Sequence, residues 1–466
     1  MLRSGDSWSR REFLTALAAT PTLVSPAKRL RVTSSPASRP VAAPPRPRVA
    51  AIFTEFRFRS HAYDFLENFF EPYLFNGELC DPGVDVVSFY ADQFPKDDMA
   101  RDVSRALGIP LFGSIDEALC VGGKELAVDA VLSIGEHGDY PTNDRGQKMY
   151  PRKRFFDEAV AVMRRAGRYV PLFNDKHLSY RWDWAQEMVS TARELGFPLF
   201  AGSSVPLAQR RPPLEIPAGA ELDEAVAIHG GGVEVYDFHG LELLQSFVES
   251  RRGGETGIAS LEFLEADALW QAADRGRWSV GLAEAAMRAE LGPAAGPLIA
   301  RPGDDASDDA AKSKAMAITH GILLTYRDGF RASVIQVGHS GNRWNFACRL
   351  KGDSATAKPE VLATALYNGP WGNRCMFKAL SHAVQHVFVH RRTPYPIERT
   401  LMVTGALDAA MTSRETRRPV ETPQLQFAYQ AGDWRSFREL GGSWKVITTE
   451  TPEDKTFRPG DARFVK

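Results

Sequence analysis

Between Arg48 and Ala201 short apolar runs alternate with stretches whose apolar residues recur at helical spacing, and nothing else narrows the fold as far. Arg48 to Phe53 (RVAAIF), Val84 to Tyr90 (VDVVSFY), Pro110 to Phe112, Val128 to Ile134, Tyr169 to Phe173 and Pro198 to Ala201 read as strands. Strands covered by helices on both faces are apolar throughout rather than alternating. The segments between them read as helices: His61 to Leu74, Asp97 to Leu107, one from Ile115, one carrying Phe155, Phe156, Ala159, Val160 and Met163, and Trp182 to Leu195. This alternation predicts an α/β fold with a doubly wound parallel sheet.

Ligands of such sheets collect beyond the carboxyl ends of the strands. The fourth strand is followed by Glu136-His137-Gly138-Asp139-Tyr140 and a polar loop running to Arg152, and the fifth by Asn174-Asp175-Lys176-His177. These turns share one edge, so Glu136, His137, Asp139, Lys176 and His177 are expected to converge. A lysine among carboxylates and imidazoles serves as electrophile or as acid and base. The bland alternative is a surface salt-bridge cluster. The first strand's turn, Thr54-Glu55-Phe56-Arg57-Phe58-Arg59, has no glycine where a G-x-G-x-x-G would let a pyrophosphate approach. Arg57 and Arg59 are either anion-gripping side chains or solvated loop residues. Asp92, near the end of the second strand, is placed where an acid takes ribose hydroxyls.

At 466 residues the chain is long enough for two domains, and 44% hydrophobic residues allow a sizeable core. A net charge of -1 gives no electrostatic case for nucleic acid or an anionic membrane. Cys80, Cys120, Cys348 and Cys375 form no C-x-x-C pair, so neither a zinc ribbon nor a redox dithiol is indicated. Ser9-Arg10-Arg11-Glu12-Phe13-Leu14 resembles the twin-arginine export signal, and the apolar run after it, Leu14 to Val24, is too short to span a membrane. With the Pro-, Ala- and Ser-rich spacer it sets residues 1–47 apart and implies a periplasmic or otherwise exported protein, handled by the twin-arginine translocase.

In the second half, Gly230-Gly231-Gly232 leads into a helix carrying Asp237 and His239. Leu323 to Tyr326 and Ala332 to Val337 read as a hairpin about Asp328-Gly329, with Trp344 to Leu350 as a further strand. His339, Asn342 and Arg343 fall at a strand end, as turn or substrate residues. His382, His386 and His390 share one helix face, read as an interface face rather than a zinc site because no H-E-x-x-H accompanies them. Gly303 to Lys312 is an acidic insertion, and the segment from Gly432 mixes Trp434, Phe437, Trp444 and Phe457 with charges, as expected of a stretch lying over the body.

Asp175-Lys176-His177 is similar to the E-K-P motif of the Gfo/Idh/MocA oxidoreductases, and Val235-Tyr236-Asp237-Phe238-His239 to their catalytic helix. Pro394 to Thr400 and Gly405-Ala406-Leu407-Asp408 add to the resemblance, which covers roughly Arg48 to Gln430. It implies a Rossmann-like domain (residues 48–208), then an α/β domain with an open, mostly antiparallel sheet (209–430), leaving 431–466 as an extension. It also implies oxidation or reduction of a sugar or polyol hydroxyl with NAD or NADP, and possible homo-oligomers through the second sheet. In that reading Lys176 and His239 are catalytic. Asp92, Glu136 and His137 face the cofactor, and Asp139, Tyr140, Asp175, His177 and Asp237 the substrate. The departures are the missing glycines, D-K-H for E-K-P, and Val235 at the family's aspartate position with Asp237 two residues out of register. They leave open a non-redox carbohydrate hydrolase, lyase or isomerase, with a divalent metal on Glu136, His137, Asp139 and His239 as one version, and a sugar-binding protein.

Overall fold

A computed structural model of the chain describes residues 45–293, 296–301, 316–351 and 360–465. The twin-arginine stretch and the acidic insertion fall outside the described residues. From Arg46 onward the chain forms one compact unit. It opens with β1 (Arg48–Phe53), α1 (His61–Leu66) and a small hairpin of β2 (Tyr73–Phe75) and β3 (Glu78–Cys80). There follow β4 (Asp85–Ala91), α2 (Ala100–Leu107), β5 (Leu111–Phe112), α3 (Ile115–Cys120) and β6 (Ala130–Ile134). Next come α4 (Arg152–Ala166), β7 (Leu172–Asp175), α5 (Trp182–Leu195) and β8 (Leu199–Gly202).

The six strands β5-β4-β1-β6-β7-β8 form a sheet in which every pair is parallel. Counted along the chain, this is the 3-2-1-4-5-6 order of the Rossmann fold, with its switch point between β1 and β6. Side chains alternate as a strand requires: Val49, Ala51 and Phe53 face one core, Ala50 and Ile52 the other. Two boundaries differ from expectation. The helix predicted over residues 61–74 stops at Leu66, because Pro72 disfavours helix before it, and Tyr73 and Leu74 pair into the hairpin instead. The strand predicted from Tyr169 starts at Leu172, after Pro171, which has no N–H for the ladder. Asn174 and Asp175 therefore lie within β7, and Lys176 bridges to Gly202 just past its end.

The second half supplies β9 (Gln209–Arg211), β10 (Leu222–Gly230), α6 (Val235–Val248), β11 (Ile258–Glu265), α7 (Ala266–Asp274), α8 (Val280–Leu291) and β12 (Ile299–Ala300). Then follow β13 (Met316–Tyr326), β14 (Arg331–Val337), β15 (Ser340–Leu350), β16 (Val361–Tyr367), α9 (Asn373–His390), α10 (Ile397–Thr416) and β17 (Val420–Glu421). A nine-stranded sheet runs β17-β11-β13-β14-β10-β15-β16-β9 with β12 beside β13, and only β10–β14 and β12–β13 are parallel. The expected hairpin joins β13 to β14. α6 and α10 cover one face of this sheet, and α7 and α8 pack on the other. The face that the resemblance would leave free for a partner is thus covered over much of its centre.

α9 crosses back to the first sheet, where Phe377, Leu380, Val384, Val387 and Phe388 join the core of β1 and α1. Part of its histidine face is an internal interface: the Tyr73 hydroxyl lies 2.9 Å from His382 Nδ1, the His382 ring stacks on Phe75 and His386 meets Phe437, while His390 is exposed. The C-terminal extension also lies over the body. Asp461 takes the Leu74 N–H (2.8 Å) and the Lys378 ammonium (2.6 Å). All four cysteines are free thiols, and among the described residues no helix is long and apolar enough to cross a membrane.

Candidate functional site

The site is built at the switch point of the first sheet. Thr54, just past β1, donates its N–H to the Ile134 carbonyl (3.1 Å) and its hydroxyl to the Glu136 carbonyl, fixing the turn after β6. Gly135 in that turn is required by close approach: a Cβ there would lie 2.8 Å from Arg152 Cγ. The missing side chain lets Arg152, at the start of α4, run beneath the turn and bond the Glu136 carboxylate. From β7, Lys176 Nζ donates to the other Glu136 oxygen at 2.8 Å. Glu136, Arg152 and Lys176 are all buried. Burial alone would raise the Glu136 carboxyl, but the charges of Lys176 and then Arg152 hold it well below the usual carboxylate range.

Imidazoles surround this pair. His61, at the start of α1, sets its Nδ1 2.6 Å from Asp175 Oδ2, and its backbone N–H points at His137 Nδ1 (3.3 Å). Burial, followed by the neighbouring His61, pushes His137 down to about 3. Arg152 Nη1 lies 3.0 Å from His177 Nε2 and donates through Nε to the Asp175 carbonyl (3.1 Å). From the second half, His239 on α6 sets Nδ1 2.6 Å from Ser203 Oγ, while its Nε2 takes no hydrogen bond among the described residues. Burial first, then the charges of Lys176 and His61, keep His239 neutral well below its ordinary range. Glu234, capping α6, lies 3.5 Å from His177, and burial raises it to about 7. His137, Lys176 and Glu234 have φ of 69°, 65° and 69°, a left-handed conformation that residues with side chains adopt at some cost and that concentrates at functional sites. Half-buried Tyr150 and Tyr236 lie at the margin of the cluster.

The structure brings Glu136, His137, Lys176 and His177 together, with Asp175 and His239 beside them, and places the other predicted residues elsewhere. Asp139 is exposed, held by its backbone to Gln93 (2.8 and 2.9 Å), because the left-handed turn at His137 and Gly138 swings it outward. The metal quartet Glu136, His137, Asp139 and His239 therefore does not assemble. Tyr140 turns its hydroxyl to Asp92 Oδ2 (2.6 Å) instead of to the cluster. Asp237 faces the opposite side of α6 from His239 and bonds His229 and His320. His339 lies in the bend between β14 and β15, while Asn342 and Arg343 lie within β15, where Arg343 is clasped by Glu290 at 2.7 Å. His61, Arg152, Ser203 and Glu234 were not singled out from the sequence. His61 carried a readable signal, a histidine opening the helix after the first strand's turn, whereas the Glu234–His177 approach exists only in the fold.

The turn after β1 answers differently when tested for a dinucleotide. A pyrophosphate needs free backbone N–H groups and no side chains in the way. Here the His61 N–H serves His137, and the Tyr63 N–H serves Ser60 Oγ (3.3 Å). Phe56 is fully buried, edge-on to Phe53, Tyr63 and Phe457. Glu55 is a buried acid, and so is Asp64, neither of whose oxygens has a hydrogen-bond partner among the described residues. Arg57 bonds Glu55 (2.6 Å) and Arg59 bonds Glu453 (2.6 Å), so the charge of each is already paired with a carboxylate. Asp92 is already bonded by Tyr90, Tyr140 and Arg154, each at 2.6 Å. These residues do not fit the pyrophosphate or ribose of NAD or NADP.

No protein-family profile matches the chain, and no curated protein matches it in sequence. Among solved structures it is similar to GenD2 from gentamicin A biosynthesis, in complex with NAD, at 13% identity and a TM-score of 0.49, covering 81% of this chain and 96% of that one. It is also similar to scyllo-inositol dehydrogenase from Lactobacillus casei with bound NAD(H) and scyllo-inositol, at 10% identity and a TM-score of 0.48, covering 81% and 99%. A myo-inositol 2-dehydrogenase from Lactobacillus plantarum gives 12% identity, a TM-score of 0.47, and 81% and 99% coverage.

Proposed function

We propose that the chain is an enzyme that moves a proton on a small, sugar-like carbonyl compound without net oxidation, as an isomerase or lyase does. The observation that carries this reading is a lysine ammonium held on a buried carboxylate beside a neutral histidine whose Nε2 has no hydrogen-bond partner among the described residues. A neutral imidazole accepts the proton α to a carbonyl, and an ammonium stabilises the enolate oxygen that forms. His239 is a weak base in the resting site, but the developing enolate charge favours its protonation. Glu136 and Arg152 position Lys176, Ser203 orients His239, and Tyr150 and Tyr236 offer ring faces to the C–H groups of a sugar. Return of the proton to the neighbouring carbon, with a proton passing between the two oxygens, gives an isomer; departure of a β-hydroxyl as water, with the abstracted proton, gives an elimination product.

The test is exchange of substrate C–H for deuterium in D2O, followed by NMR across a panel of aldoses, ketoses and keto-inositols. Exchange that is lost in both Lys176→Met and His239→Asn supports the reading. The 3-2-1-4-5-6 strand order favours a second reading, a sugar or polyol dehydrogenase using NAD or NADP with the same two residues. Reduction of added NAD or NADP on turnover would establish it in place of the first. Sugar binding without exchange or turnover, unaltered by Lys176→Ala except in affinity, would identify a binding protein. The Ser9–Leu14 stretch supports export by the twin-arginine route, and retention of an Arg10→Lys, Arg11→Lys variant in the cytoplasm checks it.

A further inference from the structure

On the sheet side of α6 a second constellation is independent of the Lys176 site. The geometry points to a binding site for one divalent first-row transition-metal ion, held by His229 at the end of β10, Asp237 in the first turn of α6 and His320 in β13. Their ligand atoms all lie within 4.8 Å of one another, and all three residues are buried. Both Nε2 atoms converge on the same carboxylate oxygen, Asp237 Oδ1, at 3.0 Å from His229 and 2.9 Å from His320. Neighbouring ligands around a cation with bonds of roughly 2.0–2.2 Å lie about 3 Å apart, so little rearrangement separates this arrangement from a coordination shell.

The hydrogen-bond chain behind His320 sharpens the case. Gln336 turns its amide N–H to the Gly338 carbonyl, so its oxygen accepts from the Thr319 N–H (3.2 Å) and the Thr319 hydroxyl (2.8 Å). With its proton committed there, the Thr319 oxygen accepts from His320 Nδ1–H at 2.9 Å. A neutral His320 then points the lone pair of Nε2 at a carboxylate oxygen, and two lone pairs at hydrogen-bond distance repel unless a positive charge lies between them. A hydrogen bond from the far ring nitrogen that fixes the tautomer is how proteins orient metal-binding histidines. At His229 the Gly231 N–H is only a long contact to Nδ1 (3.4 Å), in the Gly230–Gly232 run, which can adjust when the ring proton moves from Nε2 to Nδ1 and frees the Nε2 lone pair for a metal. Two imidazoles and one carboxylate suit zinc, iron(II), cobalt(II) or manganese(II). Asp237 Oδ2 also takes the Glu234 N–H (2.8 Å), so the ion would brace the end of the helix that presents His239 to the first site.

Elemental analysis and cobalt(II) titration of the full chain test this. Expected are about one equivalent of metal in the protein as isolated, visible d–d absorption when cobalt(II) is added after chelation, and a rise in Tm on adding zinc. His320→Ala and Asp237→Asn should abolish all three, and Thr319→Val, which leaves the ligands in place, should weaken metal affinity about 10–100-fold. Wild-type protein with no bound metal, no cobalt absorption and no zinc-dependent Tm shift would overturn the assignment, leaving an imidazolium on Asp237 as the bridging charge. Because the wild-type titration alone decides this, a variant that fails to fold does not obscure it.

Discussion

Two turns meet at the switch point of the first sheet, and they have been built in opposite ways. The turn after β1 is packed shut: Phe56 is buried under Phe457, Glu55 and Asp64 are buried acids, and its arginines are paired with carboxylates. The turn after β6 gathers Glu136 and His137 beside Arg152, Lys176 and His61, with a glycine opening the space they need. The backbone path is that of a dinucleotide-binding sheet, yet the side chains have moved the polar chemistry one strand along. The C-terminal extension reinforces this, since Tyr63, Arg59 and Arg374 all bond to its 453–456 stretch. A fold sets where a site can form, and the side chains at each strand end decide which chemistry it supports.

The widest separation between the turns is expected from Lys176→Met. Loss of the ammonium should lower turnover by roughly 10²–10⁴-fold, the range of a positioned acid–base group. Phe56→Leu, at the other turn, should leave the rate within a factor of about three. Steady-state kinetics on the substrate found by deuterium exchange compares them, and equal losses would break the contrast. Glu136→Gln comes next. It leaves Lys176 and Arg152 buried without their common counter-charge, which should cost roughly 3–5 kcal/mol of stability by urea unfolding. Arg57→Gln at the half-exposed end of its pair with Glu55 should cost less than about 1 kcal/mol.

Much of this architecture was legible in the sequence because a strand buried on both faces leaves a largely apolar run, and all six strands of the first sheet were visible that way. The boundaries that moved did so at Pro72 and Pro171, where a missing N–H overrides apolar pattern. Lys176 with Glu136 was legible as two strand ends carrying like chemistry. The reach of Arg152 beneath Gly135 was not, since it depends on a close approach that spacing along the chain does not encode. Neither was the grouping of His229, Asp237 and His320, which come from β10, α6 and β13 and meet only when the second sheet forms. The register of Asp237 was the informative irregularity: two residues from the expected position on a helix turns a side chain to the far face.

Glu234 links the second turn to α6 and gives the contrast a pH signature. Its folded pKa of about 7 lies above an unfolded value of 4.5, so the folded chain binds the extra proton between them. Stability conferred by the neutral acid is therefore present below pH 4.5 and is lost as pH rises through 7, by roughly 3 kcal/mol at most. Glu234→Gln keeps an acceptor for the α6 cap but cannot ionise. Its Tm relative to wild type should rise from about pH 4.5 to 7 and level off above, and a flat difference would place Glu234 outside the charged cluster.

A smaller effect than at Glu136 or Glu234 is expected from the packing over the first turn. Phe457→Ala removes a half-buried ring from Phe56, Tyr63 and Phe70, and should cost about 1–2 kcal/mol. The loss should be the same at pH 5 and pH 8, because the contacts it removes are apolar and carry no proton. It should also leave binding of NAD and NADP as weak as in wild type by calorimetry, since Glu55, Asp64 and the occupied N–H groups of α1 remain. Dinucleotide binding gained by Phe457→Ala would mean that the extension, rather than the turn itself, is what closes the first strand's edge.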